Sequence, residues 1–349
     1  NEGEDCIVNI GVEVIINEKS NVSFRSLKES FELFIKETNK QQEVIKSLLS
    51  LKSLERTITY LDHPEKNIVE YYKVILLGIT SNNLSNKILS FQNSSNEVSD
   101  CQLQDIDKLN VSTINYQIFL YKLSHDSPQS ELIDEQESFS PYQQLLLPNK
   151  SFETLWENLI YEEGLKSNLL SYMSTIVLFS KFKIDSNICS NNKVIFLYGP
   201  PGTGKTSLAK ALAQKISILY KDKFSYTQLI EINTHSLFSK WFSESGKLVM
   251  RMFENIKEIL EDQNCFVMIL IDEVESLAAA RNASINSGTE PTDSIRVVNA
   301  FLTQLDQLKN FSNVLVVATS NITKAVDLAF IDRADIKQYI GPPSVKARE

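Results

Sequence analysis

The sequence predicts an α/β protein: a parallel sheet with helices on both faces, preceded by a smaller α+β N-terminal domain. Two observations carry this reading. From Ser151 onward, short apolar runs alternate with segments whose apolar residues fall at helical spacing, the pattern of βα units. One strand-to-helix junction in that series, Gly199-Pro200-Pro201-Gly202-Thr203-Gly204-Lys205-Thr206, has the G-x-x-x-x-G-K-[ST] spacing of a phosphate-binding loop. Before residue 124 the texture differs, with isolated strand-like and helix-like segments separated by polar stretches.

In chain order, residues 6–16 are β-branched with partial alternation and read as a strand, and residues 27–36 and 44–54 as helices. Residues 69–79 are apolar and read as a strand or a short helix. Residues 80–100 and 124–140 are rich in Ser, Asn, Gln and acids, so they read as loops or linkers. Between them, residues 114–123 alternate as a strand does. The division expected is an N-terminal domain at 1–123, a linker at 124–145, and a second domain at 146–349. No internal repeat is evident. In the second part, helices are expected at 152–161, 164–179, 207–216, 246–260 and 293–308. Strands are expected at 194–198, 229–233, 266–271 and 314–318.

Composition narrows the class. The 349 residues are 42% hydrophobic and 23% charged, as in ordinary globular chains. A formal net charge of −9 disfavours direct nucleic-acid binding through a basic footprint. No apolar run approaches membrane-spanning length, so no membrane partner is expected. The acidic start, Asn1 to Asp5, does not read as a signal peptide, and the missing initiator Met reads as a trimmed chain. Cys6, Cys101, Cys189 and Cys265 are scattered without a C-x-x-C pair, which fits reduced thiols. His63, His125 and His235 are isolated and read as surface or packing residues rather than metal ligands.

The chemistry follows strand ends, where open parallel sheets bind ligands. After the apolar run 194–198, the glycines let backbone N–H groups converge on phosphate, and the helix N-terminus adds partial positive charge. Lys205 supplies a mobile charge to the terminal phosphates and Thr206 a hydroxyl for Mg²⁺. A plain tight turn would explain the glycines but not the Lys-Thr pair after them. The strand 268–271 ends in Asp272-Glu273. Asp272 is placed to orient Mg²⁺, and Glu273 to activate an attacking water as general base. Alone, the pair would read as two solvated acids. Strand 314–318 runs into Thr319-Ser320-Asn321, where Asn321 could bond the γ-phosphate or the water, though Asn is also a turn residue. Arg333 reads either as a structural ion-pair arginine or as an arginine finger reaching a neighbouring subunit's nucleotide, which requires a head-to-tail ring. Lys240, Trp241 and Phe242 lie in a polar loop without periodicity. They read as a pore loop gripping a polypeptide or as a loop anchored by a buried Trp. The polar segment 282–293 is a second candidate pore loop or a surface loop.

Together the stretches 199–206, 239–246, 269–273 and 319–321 resemble an AAA+ ATPase. The stretches 229–247, 271–283, 288–291 and 332–343 resemble, more narrowly, the pachytene checkpoint protein 2 / thyroid hormone receptor-interacting protein 13 family. The likeness is dense from about residue 147 to 344 and weak before it. It implies an ATP- and Mg²⁺-dependent hexameric remodeller of HORMA-domain proteins, working in spindle-checkpoint and meiotic chromosome control. The N-terminal domain would engage the substrate or a HORMA-like adaptor, in the nucleus, on chromosomes and in the cytoplasm. By motif match Lys205 and Thr206 take the phosphate-loop roles, Asp272 and Glu273 the metal-orienting and catalytic ones. Asn321 matches the first sensor, Arg333 the arginine finger and Trp241 the pore aromatic. The family continues past Pro343 into a small helical lid, for which no room is left before Glu349. That favours an alternative for this chain: a nucleotide-gated partner-binding module without productive remodelling. A DNA-directed machine of the same class is disfavoured by the net charge and by Trp241-Phe242.

Overall fold

The computed structural model describes residues 5–16, 25, 27–29, 32, 57–60, 69–80, 110–130, 142–162, 164–182, 191–234, 245–276, 292–321 and 328–348. They form two compact units, Asn1–Leu123 with Glu163–Leu165, and Ser124–Glu162 with Lys166–Glu349.

The first unit holds a four-stranded sheet built from β1 (Asp5–Ile16), β2 (Thr57–Tyr60), β3 (Val69–Thr80) and β4 (Asn110–Tyr121), in the order β2-β3-β1-β4. β1 runs antiparallel to β3 and parallel to β4. Val12, Val14, Ile15 and Ile16 are all buried, so the central strand is covered on both faces. The segment left open as strand or helix is therefore a strand, β3, because ten of its residues take up pairing with β1. Residues 27–29 and 32 are helical, as expected, while the helix expected at 44–54 and the loop at 81–100 lie outside the described residues.

The second unit is a seven-stranded sheet. In chain order its elements are β5 (Gln129–Ser130), β6 (Tyr142–Leu147), α1 (Leu155–Asn158), α2 (Leu165–Phe182), β7 (Val194–Tyr198), α3 (Lys205–Leu219), β8 (Tyr226–Asn233), α4 (Ser245–Glu261), β9 (Cys265–Asp272), α5 (Thr292–Leu308), β10 (Val314–Ser320), α6 (Leu328–Ile331), β11 (Ile336–Tyr339) and α7 (Val345–Arg348). The order across the sheet is β11-β7-β10-β9-β8-β6-β5. The five strands from β11 to β8 are parallel, and β6 closes the far side antiparallel to β8.

Alternation along the strands sorts two cores. Val267, Ile269 and Ile271 of β9 join Val314, Val316 and Ala318 of β10 in a cluster with Val249, Met252, Phe253 and Ile256 of α4 and Val298, Phe301 and Leu305 of α5. The i, i+3, i+4 spacing on both helices makes the matching stripes, and Phe253 meets Phe301 edge-on at 5.4 Å. The intervening residues Met268 and Leu270 are equally buried on the opposite face, which α3 covers.

Two expectations are corrected, and one strand is added. The stretch 124–145 is not a free linker. Ser124 bridges to Asn149, Gln129–Ser130 pairs with β6, and Tyr142 and Leu145 of β6 are buried against β8. The leucines and glutamines of β6 have weak β-propensity, and pairing with β8 overrides it. The helix expected at 152–161 is a 3₁₀ turn, Lys150–Phe152, and the four-residue α1. After Asn158 the chain extends and carries Tyr161 to the phosphate loop. β11 was not anticipated, being four residues long, mostly polar and at the sheet edge.

Candidate nucleotide site

The carboxyl ends of β7, β9 and β10 lie side by side. Tyr198 is in register with Ser320, Ala318 with Ile271, and Asn233 with Asp272. Beyond them opens a cavity of about 310 Å³, lined by Pro201, Gly202, Gly204, Lys205, Thr206, Ser207, Asp272, Glu273 and Asn321. Gly199, Pro200 and Thr203, also expected to bind the ligand, do not line it. They shape the loop instead: the Thr203 hydroxyl donates to the Pro200 carbonyl at 3.0 Å. A Cβ on Gly199 would stand 2.0 Å from the Ile340 carbonyl, so loop and edge strand approach as only glycine allows. Gly204, at φ +83°, directly precedes α3. Its carbonyl accepts both the Leu208 N–H at 2.8 Å and the Tyr161 hydroxyl at 2.9 Å.

Lys205 is buried, and its ammonium donates to the carbonyls of Gly199 (3.1 Å) and Pro200 (2.7 Å). Burial lowers its pKa, and the nearby carboxylates Glu275, Asp272 and Glu273 oppose that shift. The Thr206 hydroxyl donates to Asp272 Oδ1 at 2.8 Å, and the Thr319 hydroxyl donates to the same oxygen. Hydroxyl and carboxylate oxygens so placed are the hard donors that Mg²⁺ takes, alongside waters and phosphate. Glycine-loop N–H groups at the start of α3, with Lys205 beside them, suit a polyphosphate. The residues fit a nucleoside triphosphate with Mg²⁺.

Glu273 has φ +56°, a left-handed conformation unusual for a non-glycine residue. Neighbours hold it there. Its N–H donates to Thr319 Oγ1 at 3.2 Å, and its carbonyl accepts from Thr234 Oγ1 (3.2 Å) and Ser276 Oγ (2.9 Å). The turn sends the carboxylate toward β10, where Asn321 Nδ2 donates to Glu273 Oε1 at 3.3 Å. Carboxylate and polar amide are thus brought together. Arg333 is not among the residues lining this cavity. Its Nε and Nη2 pair with Asp306 at 3.0 and 2.7 Å, and Nη1 reaches the Ala329 carbonyl. Lys240, Trp241 and Phe242 lie outside the described residues, as do residues 282–291.

Sequence reasoning missed Ser207, Tyr161, Thr234 and Glu275, and did not give Thr319 its role. Only Glu275 carried a signal, as a third acid three residues after Asp272.

Sheet order, glycine loop, paired strand-end acids and the asparagine beyond β10 define an AAA-type ATPase domain. The family model described as "ATPase family associated with various cellular activities (AAA)" matches residues 195–342. Within that class the chain belongs to the pachytene checkpoint protein 2 family. The zebrafish (Danio rerio) pachytene checkpoint protein 2 homolog is 57% identical over 233 residues, covering 67% of this chain and 55% of that one. The human homolog is 52% identical over 249 residues, covering 71% and 57%. The solved structure of C. elegans PCH-2 is 36% identical, with a TM-score of 0.68, covering 97% of this chain and 74% of that one. The chain therefore spans little more than half the length of these curated relatives.

Proposed function

We propose that this chain carries the catalytic half of an ATP-hydrolysing remodeller that acts on HORMA-domain proteins. The observation that carries hydrolysis is the pairing of two strand-end acids with different partners. Asp272 is bound to Thr206, and Glu273 is turned by its positive φ toward Asn321. Bound Mg²⁺ would neutralise charge between the β- and γ-phosphates. Thr206 and Asp272 would hold the ion. Lys205 exchanges the Gly199 and Pro200 carbonyls for phosphate oxygens. Glu273 takes the proton of the attacking water, and the Asn321 amide orients that water or the γ-phosphate.

Family membership supports the remaining parts: a hexameric ring, Arg333 acting on the neighbouring subunit's nucleotide, and Lys240, Trp241 and Phe242 gripping a substrate segment in the pore. It also supports HORMA-domain substrates, reached directly or through a HORMA-like adaptor by the N-terminal unit, in checkpoint and meiotic control in nucleus and cytoplasm. One observation favours the alternative, a nucleotide-gated binding module, for the unassembled chain. Arg333 is there held by Asp306 of its own subunit.

Glu273→Gln tests the central claim. Nucleotide binding, read with a fluorescent ATP analogue, is expected to persist while turnover falls about 100-fold or more. Turnover equal to the parent's would remove Glu273 as base.

A further inference from the structure

Glu275 stands outside the roles assigned so far, yet it touches the machinery. It follows β9 by three residues and reaches across to the segment beyond β10, where its Oε1 accepts the backbone N–H of Asn321 at 3.1 Å. The side chain of that same Asn321 donates to Glu273 Oε1 at 3.3 Å. A single residue is therefore gripped at its backbone by one glutamate and presents its amide to another. The second oxygen of Glu275, Oε2, is buried and has no hydrogen-bond partner among the described residues. A half-satisfied buried carboxylate is costly, and a neutral acceptor could tie down one N–H more cheaply. Glu275 is also one of the three carboxylates, with Asp272 and Glu273, whose charge opposes the lowering of the Lys205 pKa by burial.

We propose that Glu275 is a positioning residue for hydrolysis: by holding the Asn321 backbone it aims the Asn321 amide at Glu273 and the water that Glu273 activates. The proposal rests on the reading of Glu273 as general base. Glu275 itself contacts no reacting atom. Removing it should leave nucleotide binding nearly intact and cost turnover, because the misplaced group matters only once the water attacks.

The experiment measures steady-state ATP hydrolysis by the full chain for Glu275→Ala, Glu275→Gln, Asn321→Ala and the double variant Glu275→Ala/Asn321→Ala, with Glu273→Gln as reference. Glu275→Ala is expected to lower kcat about 10- to 100-fold, the usual cost of losing a group that orients a catalytic one, with KM within about threefold of the parent. Glu275→Gln keeps an acceptor for the Asn321 N–H and should recover at least about threefold over Ala. In the Asn321→Ala background, Glu275→Ala should cost less than about twofold more, because one acts through the other. Independent, multiplying losses in the double variant would overturn the proposal. So would Gln no better than Ala, or a raised KM with unchanged kcat. A normal rate in Glu273→Gln would instead overturn the reading of Glu273, whatever Glu275 does.

Discussion

Replacing Thr319 by valine removes one hydroxyl from the tip of β10 and changes little else in size. Thr319 is 1% exposed, so the isosteric change opens no cavity worth counting. Two hydrogen bonds go with it. One is the charge-assisted donation to Asp272 Oδ1, and the other is the acceptor at 3.2 Å for the Glu273 N–H. A hydrogen bond to a carboxylate contributes about 1.5–3 kcal/mol, and a stranded donor costs about 1–3 kcal/mol where water cannot reach it. Asp272 and Glu273 are partly solvated at the cavity, which puts the sum near about 3 kcal/mol. For a unit of this size that is a fall in Tm of roughly 6–12 °C. Thr319→Ser is the control. It keeps the hydroxyl and deletes one buried methyl, about 1 kcal/mol or roughly 2–4 °C. Thermal unfolding by circular dichroism, run on both variants and the parent, gives the comparison. If valine melts with serine, the hydroxyl holds neither acid in place and the description of the Glu273 turn fails.

Two other outcomes follow from the same structure. Gly199→Ala drives a methyl to 2.0 Å from the Ile340 carbonyl, whereas a methyl on Gly202 meets nothing within 4 Å and suffers only the unfavourable φ of +75°. The first should cost upwards of about 3 kcal/mol and the second about 1–2 kcal/mol in urea melts, and equal costs would show that β11 yields freely. At alkaline pH the relevant group is the half-buried Tyr172: desolvation, with the hydrogen bond its hydroxyl donates to Asp335 Oδ2 at 2.6 Å, pushes its pKa far above the ordinary tyrosine value. The folded phenol then stays protonated where the unfolded one ionises. Its contribution is complete below about pH 10 and is lost above it at about 1.4 kcal/mol per pH unit. Tyr172→Phe should flatten the stability curve between about pH 10 and 11.5 by that slope, and an unchanged slope would refute the protection of this phenol by Asp335.

The site was largely legible where function is written locally. The spacing of Gly199, Gly204, Lys205 and Thr206 is readable because the motif itself occupies eight consecutive residues of chain. Asp272 and Glu273 were readable because an apolar strand must end somewhere and charges mark the place. Their separate hydrogen-bond partners were not. They include Thr319, 47 residues from Asp272, and Thr234, 39 residues before Glu273. Nor does composition disclose that Glu273 adopts a positive φ, since no glycine or asparagine advertises it. Arg333 was legible as an arginine of interest, but its engagement with Asp306 depends on how α5 meets the turn after α6. The edge strands β6 and β11 escaped for a related reason. Their residues are ordinary loop or helix formers that become strands only because β8 and β7 present open edges to them.

The left-handed turn at Glu273 has a consequence for how this protein ages and warms. A glutamate there stands about 1–2 kcal/mol above its relaxed backbone state and is kept up by hydroxyls on the tips of neighbouring strands. Strand tips fray before strand centres do. Should those hydroxyls loosen before the strand centres, the residue returns to an ordinary conformation while the sheet beneath remains folded. The enzyme should therefore fall silent several degrees before it melts, and recover on cooling without ever having unfolded.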